Sequence, residues 1–316
     1  MPDLSSSRLS WGIPVPEDHT QTIYVWLDAL ANYLTVAGGS RGALNDGVQR
    51  MWPPDCHVVG KDILKFHAIY WPAFLMAAGL EPPERILCHS HWMTENEKMS
   101  KSKGNVVDPV KTANESITAD GLRYFLLRQG TLHSDGNFSR KQLIKVLNAE
   151  LANTMGNLLG RCTGKIINPE QKLPSWNEDS LALCSQASRD LMSQSESLAA
   201  EVHKHYEDFN YYLGIDCIMD FLRNSNSLQS EEEPWKLVKT GDTDKAMVLN
   251  LLGLESLRIA SILLQPVIPN LSDVILTKLG VTNRQWSDSQ VFAWSSEMKY
   301  TFSKEKVILF RRISSN

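Results

Sequence analysis

The chain has 316 residues, 42% of them hydrophobic, which is enough to bury the cores of two domains. Its longest strongly apolar stretch without a charge, Ile259 to Ser272, is interrupted by Pro266 and Pro269 and falls short of the ~20 residues a bilayer-spanning helix needs, so no membrane partner is expected. A net charge of −4 argues against broad, nonspecific nucleic-acid binding, and five cysteines at least 22 residues apart exclude a Cys-x-x-Cys zinc knuckle and a compact disulfide framework, so no metal site is assigned.

The start, Met-Pro-Asp-Leu-Ser-Ser-Ser-Arg, has neither the basic-then-apolar layout of a secretory signal nor the Arg-rich pattern of a transit peptide; the protein is expected to be cytosolic or to lack its targeting segment. Residues 1–137 mix short β-rich runs (Thr22 to Trp26, Cys56 to Val59, Arg85 to His89) with helical segments (Ile63 to Ala78, Ala119 to Arg128), the alternation of an α/β parallel sheet. A turn at His133 to Gly136 closes this region. From Ser139 onward helical periodicity takes over, at 139–164, 180–205, 208–228, 243–264 and 270–279, with loops around Pro169, Pro174 and Pro234. The expected fold is therefore α/β plus all-α, with domains 1–137 and 138–316. Lys306 to Phe310 reads as one more short strand, returning to the first domain. Between Lys98 and Lys145 nine Lys and Arg face four Asp and Glu, leaving the rest of the chain at −9. A basic strip on an acidic body suits a protein that touches phosphates at one place.

The strip opens with Lys98-Met99-Ser100-Lys101-Ser102-Lys103-Gly104-Asn105, followed by Asp108-Pro109. Two lysines three apart among small hydroxyl residues supply mobile cations, and Gly104 permits the bend that lays them over a polyphosphate. Lys103 reads as a solvated neighbour. Just upstream, Asn96 tolerates a positive φ, while Glu95 and Glu97 set acid beside a phosphate loop. Earlier in the chain, Trp26, Ala29 and Tyr33 share one helix face, and so do Ile63, His67 and Trp71; each stripe alone is better explained by plain core. Gly60 and Asp62 follow a predicted strand, where Asp62 can cap the following helix. Farther on, Asn153, Asn157 and Arg161 form a polar stripe opposite Leu147, Leu151 and Leu158, and Glu233-Pro234-Trp235 presents an indole beside a stiff turn.

Residues 98–102 resemble the KMSKS signature of class I aminoacyl-tRNA synthetases. Tyr-Val-Trp-Leu-Asp-Ala at 24–29, Val-Gly-Lys-Asp-Ile at 59–63 and Phe-His-x-x-x-Trp-Pro at 66–72 resemble the methionyl family among them, and the Trp26, Tyr33, His67 and Trp71 set disfavours the cysteinyl and leucyl families. The stretch Asn-Ala-x-Leu-x-Asn-x-x-x-Asn-Leu-x-x-Arg at 148–161 resembles that family's anticodon helix, and Leu309-Phe310-Arg311-Arg312-Ile313 its chain end, with Arg311 where Pro is common.

The resemblance implies the C-terminal half of a Rossmann-like catalytic domain with KMSKS loop and stem-contact region at 1–137, then a helical anticodon-binding domain at 138–316. It implies a methionine–tRNA ligase that takes methionine, ATP with Mg2+ as substrate complex, and methionine tRNA. Lys98 and Lys101 would be catalytic, stabilising the leaving pyrophosphate. Gly60, Asp62, Lys98, Met99, Ser100, Lys101 and Ser102 would bind ATP. Trp26, Ala29, Leu30, Tyr33, Ile63, His67 and Trp71 would line the methionine site, Leu30 standing where some relatives have Pro and sulfur packing against the ring edges. Asn157, Arg161, Pro234 and Trp235 would read the CAU anticodon, by hydrogen bonds to base edges and by stacking. It further implies a monomer without structural zinc in this segment, placed in the mitochondrial matrix or alternatively the cytoplasm. No His-x-Gly-His signature occurs in the chain. The resemblance thus covers the C-terminal half of the family enzyme. The chain alone is expected to be inactive, and the alternative is a noncatalytic tRNA-binding fragment or isoform of the same family.

Overall fold

The computed structural model describes residues 5–6, 11–37, 52–94, 96–295 and 298–314. Its contacts separate two units, Met1–His91 with Leu132–Ser134, and Trp92–Thr131 with Asp135–Asn316.

In the first unit three short strands, β1 (Ser5–Ser6), β2 (Pro14–Val15) and β3 (Asp18–Ile23), form an antiparallel sheet in the order β1-β3-β2. Pro14, which has no N–H to donate, sits on an edge strand. The strand expected at Thr22 to Trp26 ends at Ile23, and Trp26 instead begins helix α1 (Trp26–Val36). Trp26, Leu30 and Leu34 recur at helical spacing there, and burial of that stripe outweighs the β-propensity of Tyr24 and Val25. Strand β4 (Cys56–Gly60) pairs in parallel with β5 (Arg85–His89), Cys56 opposite Arg85 and Gly60 opposite His89. The crossover runs through a 3-10 turn at Lys61–Ile63, a π-helical turn at Phe66–Tyr70 and helix α2 (Trp71–Ala77). Leu30, Trp52, Trp71 and Leu75 are buried at the centre of this unit, flanked by Trp26, Leu34 and Phe66.

In the second unit β6 (Trp92–Thr94) lies between β7 (Glu97–Lys98), antiparallel to it, and β8 (Gly136–Phe138), parallel to it. Asp108 caps the short helix α3 (Pro109–Thr112) by accepting from the Val110 and Lys111 amides, and α4 (Ala119–Gln129) follows. The helix expected at 139–164 is one continuous rod in three stretches: α5 (Arg140–Leu147), capped by Ser139, a π-helical segment Asn148–Gly156, and α6 (Asn157–Cys162). After it come α7 (Gln186–Glu207), α8 (Tyr211–Glu232), α9 (Pro234–Thr240), α10 (Thr243–Leu264) and α11 (Pro269–Lys278). Helix α9 occupies the loop expected around Pro234; a proline that ends one helix is also well suited to the first turn of the next. Between α7 and α8, Gly214 makes room for Tyr206, since a Cβ there would meet the ring at 2.5 Å.

Helix α10 is long and apolar enough to cross a membrane, yet 94% of its most apolar window is buried inside the protein, where it forms the centre of the bundle. Within it the buried Arg258 clasps Glu255 and also donates to the carbonyls of Asp288 (2.7 Å) and Val291 (2.5 Å), so the charge is met on all sides.

The strand expected at Lys306 to Phe310 does not form. The backbone there is irregular, and side chains of the second unit hold the segment instead of a neighbouring strand. Lys278 Nζ donates to the Ser303 and Glu305 carbonyls, Asn148 exchanges two 2.8 Å hydrogen bonds with the Ile313 backbone, and the Phe310 ring lies beside Gly121.

Candidate functional site

Aromatic and imidazole rings meet in the first unit because α1 and the crossover after β4 present their stripes to each other. Trp26 stacks on Phe66 at 3.8 Å between centroids, and its ring stands nearly perpendicular to that of His67, 6.3 Å away. The Nδ1–H of the buried His67 donates to the Ile63 carbonyl (2.9 Å), which leaves Nε2 to accept from the Tyr33 hydroxyl (2.9 Å). Trp71 donates its indole N–H to His57 Nε2 (3.2 Å), so His57 is neutral with its proton on Nδ1. Burial, and then the neighbouring His67, push the His57 pKa below its ordinary 6.5. The structure therefore gathers Trp26, Tyr33, Ile63, His67 and Trp71. Ala29 is exposed on α1, whereas Leu30 is 1% exposed and packs in the core beneath the rings. His57 and Trp52, absent from the sequence reading, complete the cluster; Trp52 packs edge-on against Trp71.

At the end of β4, a Cβ added to Gly60 would touch His91 Nε2 (3.6 Å) and His89 Cε1 (3.8 Å), while Asp62 lies 3.6 Å from His91. A glycine, a carboxylate and two imidazoles thus share one strand end, a hydrogen-bonding surface suited to a polar ligand such as a ribose.

In the second unit Lys98 ends β7, and the loop after it is closed by Asn105, whose side chain accepts from the Ser100 amide (2.8 Å) and donates to the Lys98 carbonyl (3.2 Å). A 3-10 turn at Lys101–Lys103 ends at Gly104 with φ +67°, where glycine carries no Cβ penalty. Ser100 Oγ and Ser102 Oγ are 2.8 Å apart, Met99 is half-buried, and Lys98 and Lys101 are exposed. Lys103, expected to be simply solvated, pairs with Glu97 at 3.1 Å, which neutralises the acid that looked misplaced beside the loop. Asn96 adopts φ +62°, its amide bound by Asn137 Oδ1; Glu95 lies outside the described residues.

The third group lies on the rod and on α8 and α9. Leu147, Leu151 and Leu158 are buried, which turns Asn153 and Asn157 to the surface. Arg161 donates to Ser230 Oγ (3.0 Å) and sits 5.9 Å from the Trp235 ring centroid, a cation–π geometry. Ser230 in turn donates to the Asn226 carbonyl, and Asn226 donates to the Thr154 carbonyl in the π-helical segment. Pro234 is buried as the first residue of α9, so it aims the half-exposed Trp235 rather than offering a contact itself. Asn153, Thr154, Arg161, Arg223, Asn226 and Ser230 border an open cleft of about 440 Å³. Arg223, not singled out from sequence, is held there by Asp220.

Two family models cover most of the chain: "tRNA synthetases class I (M)" over residues 2–163, and "Anticodon binding domain of methionyl tRNA ligase" over 183–316. The class is thus that of the class I aminoacyl-tRNA synthetases. Among curated proteins, the chain is 44% identical to the human mitochondrial methionine–tRNA ligase, over 92% of this chain and 51% of that protein, and 42% identical to the mitochondrial ligase of Xenopus laevis, over 100% and 58%. Among solved structures, Mycobacterium tuberculosis methionyl-tRNA synthetase in complex with methionyl-adenylate matches with a TM-score of 0.84 at 35% identity, covering 97% of this chain and 59% of that one. The chain belongs to the methionyl-tRNA synthetase family. It spans about half the length of the curated relatives it matches.

Proposed function

We propose that the chain supplies the phosphate-clamping loop, the methionine-binding rings and the anticodon-reading helices of a mitochondrial methionine–tRNA ligase. The observation that carries this reading is the loop at 98–105: a KMSKS sequence tied at its base by Asn105, with Lys98 and Lys101 exposed. In the reaction, a methionine carboxylate oxygen attacks the α-phosphorus of ATP, a new O–P bond forms, and the bond to pyrophosphate breaks. Lys98 and Lys101 stabilise the charge that builds on the leaving pyrophosphate, with Mg2+ arriving as part of the nucleotide substrate. The catalytic contribution is positioning and electrostatics, without a general base. The methionyl-adenylate then passes its acyl group to the terminal ribose hydroxyl of the tRNA, releasing AMP.

Trp26, Tyr33, Ile63, His67 and Trp71 hold the thioether side chain, with the locked tautomer of His67 fixing its ring against the sulfur and Leu30 supporting them from below. Gly60 and Asp62, with His89 and His91 beside them, take the ribose. Asn157, Arg161 and Trp235 read the anticodon, Pro234 aiming the indole. The mitochondrial placement rests on the names of the similar relatives from human, Xenopus and other eukaryotes.

The test is Lys101→Ala in a full-length ligase built on this chain, with the remaining half taken from the human relative. Methionine-dependent ATP–pyrophosphate exchange should fall by ~10²-fold or more, the scale of one preorganised charge contact, while methionine affinity holds. An exchange rate within about a factor of two of the parent would overturn the assignment.

A further inference from the structure

We propose that Glu201, His205 and Cys217 form a binding site for one zinc-type divalent metal ion that staples α7 to α8. Glu201 and His205 are four residues apart on α7, so their side chains share a face. Cys217 stands on α8, which packs against that helix after the short turn at Asp208–Asn210. One ligand atom from each of the three, carboxylate oxygen, imidazole nitrogen and thiol sulfur, lies within 4.8 Å of the other two. In a tetrahedral zinc site, with metal–sulfur bonds near 2.3 Å and metal–nitrogen or –oxygen bonds near 2.0 Å, donor atoms stand roughly 3.5 Å apart. Small side-chain rotations close that difference, because Glu201 is exposed and the other two are half-buried. The backbones need not move, since the helices are already drawn together where Tyr206 lies over Gly214.

The chemistry selects the ion. A thiolate with an imidazole favours zinc over magnesium or calcium, and one carboxylate with one thiolate balances the two positive charges. On binding, a metal–sulfur bond replaces the S–H bond, the proton passes to solvent, and water fills the fourth position. The site joins two helices of the anticodon-binding part and touches none of the groups assigned to substrate.

The purified 316-residue chain, kept reduced, is titrated with Co2+. One equivalent should bind with an intense near-ultraviolet thiolate-to-cobalt absorption and tetrahedral visible bands, both abolished by Zn2+. Cys217→Ser should lose the thiolate absorption, Cys88→Ser should keep it, and His205→Ala should weaken binding by more than the ~10–100-fold that losing an outer-shell partner costs. In the unaltered chain Zn2+ should also protect Cys217, and not Cys88, from alkylation, a readout independent of how the variants fold. A thiolate band retained in Cys217→Ser, binding without tetrahedral bands, or alkylation of Cys217 unaffected by Zn2+ would overturn the proposal.

Discussion

Replacing Trp235 with alanine strips two contacts from the proposed anticodon site. In the proposed site the indole would be the platform for an unstacked base, worth ~1–3 kcal/mol, and it lies under the Arg161 guanidinium at 5.9 Å, a half-exposed cation–π contact worth ~0.5–1 kcal/mol. Together these predict that the chain binds methionine tRNA roughly tenfold to several-hundredfold more weakly. Ser230→Ala removes only the 3.0 Å hydrogen bond that holds the same guanidinium, so it should cost about 1 kcal/mol, near fivefold. Because both changes act through Arg161, the double variant should fall short of the sum by ~0.5 kcal/mol or more. The assay is tRNA binding across a salt series, run beside a tRNA whose anticodon has been changed. Phosphate contacts should persist in every variant and carry the salt dependence, while the preference for the CAU tRNA disappears in Trp235→Ala. Equal weakening toward both tRNAs, or strict additivity of the two substitutions, would refute the reasoning.

Arg258→Met leaves the buried Glu255 carboxylate and the Asp288 and Val291 carbonyls without their donor, so urea unfolding should show a loss of about 3–5 kcal/mol, whereas a loss under about 1 kcal/mol would show the pair to be solvated. His57, with its pKa lowered by burial and His67, takes up a proton more readily in the unfolded chain. The first unit should therefore keep full stability above about pH 6.5 and lose at most about 1.4 kcal/mol per pH unit as pH falls below it, until the folded pKa is passed. Hydrogen exchange at the Trp71 indole, which needs neutral His57 as acceptor, should accelerate over that window, and His57→Asn should abolish the acid-dependent part. Gly214→Ala forces a Cβ against the Tyr206 ring and should lower Tm by several degrees, read by calorimetry.

What was legible in the sequence were features carried by local periodicity and by compact motifs. The buried face of Leu147, Leu151 and Leu158, the positive φ of Asn96 and Gly104, and the strand Arg85–His89 all depend on residues close in sequence. The illegible features depend on distant partners. His57 joins the ring cluster through Trp71, Tyr33 and His67, and Trp52 joins it through Trp71, contacts that composition and spacing do not mark. Lys306 to Phe310 has the short β-branched apolar run of a strand, but Lys278 and Asn148 satisfy the backbone around it from helices far earlier in the chain. Leu30 shares a helix with Tyr33 yet faces the core, because a few residues of helix rotation separate a ligand-facing position from a packed one. Glu201, His205 and Cys217 escaped notice because the turn between α7 and α8 separates them, so that no short spacing announces the set.

The most direct test of the account is amino-acid-dependent ATP–pyrophosphate exchange by a full-length ligase built on this chain, run in turn with methionine, leucine and cysteine. The ring cluster predicts exchange with methionine alone, and Trp71→Ala, which removes a buried ring at the centre of that cluster, should abolish it. Exchange driven by leucine or cysteine at a rate comparable to methionine would contradict the assignment.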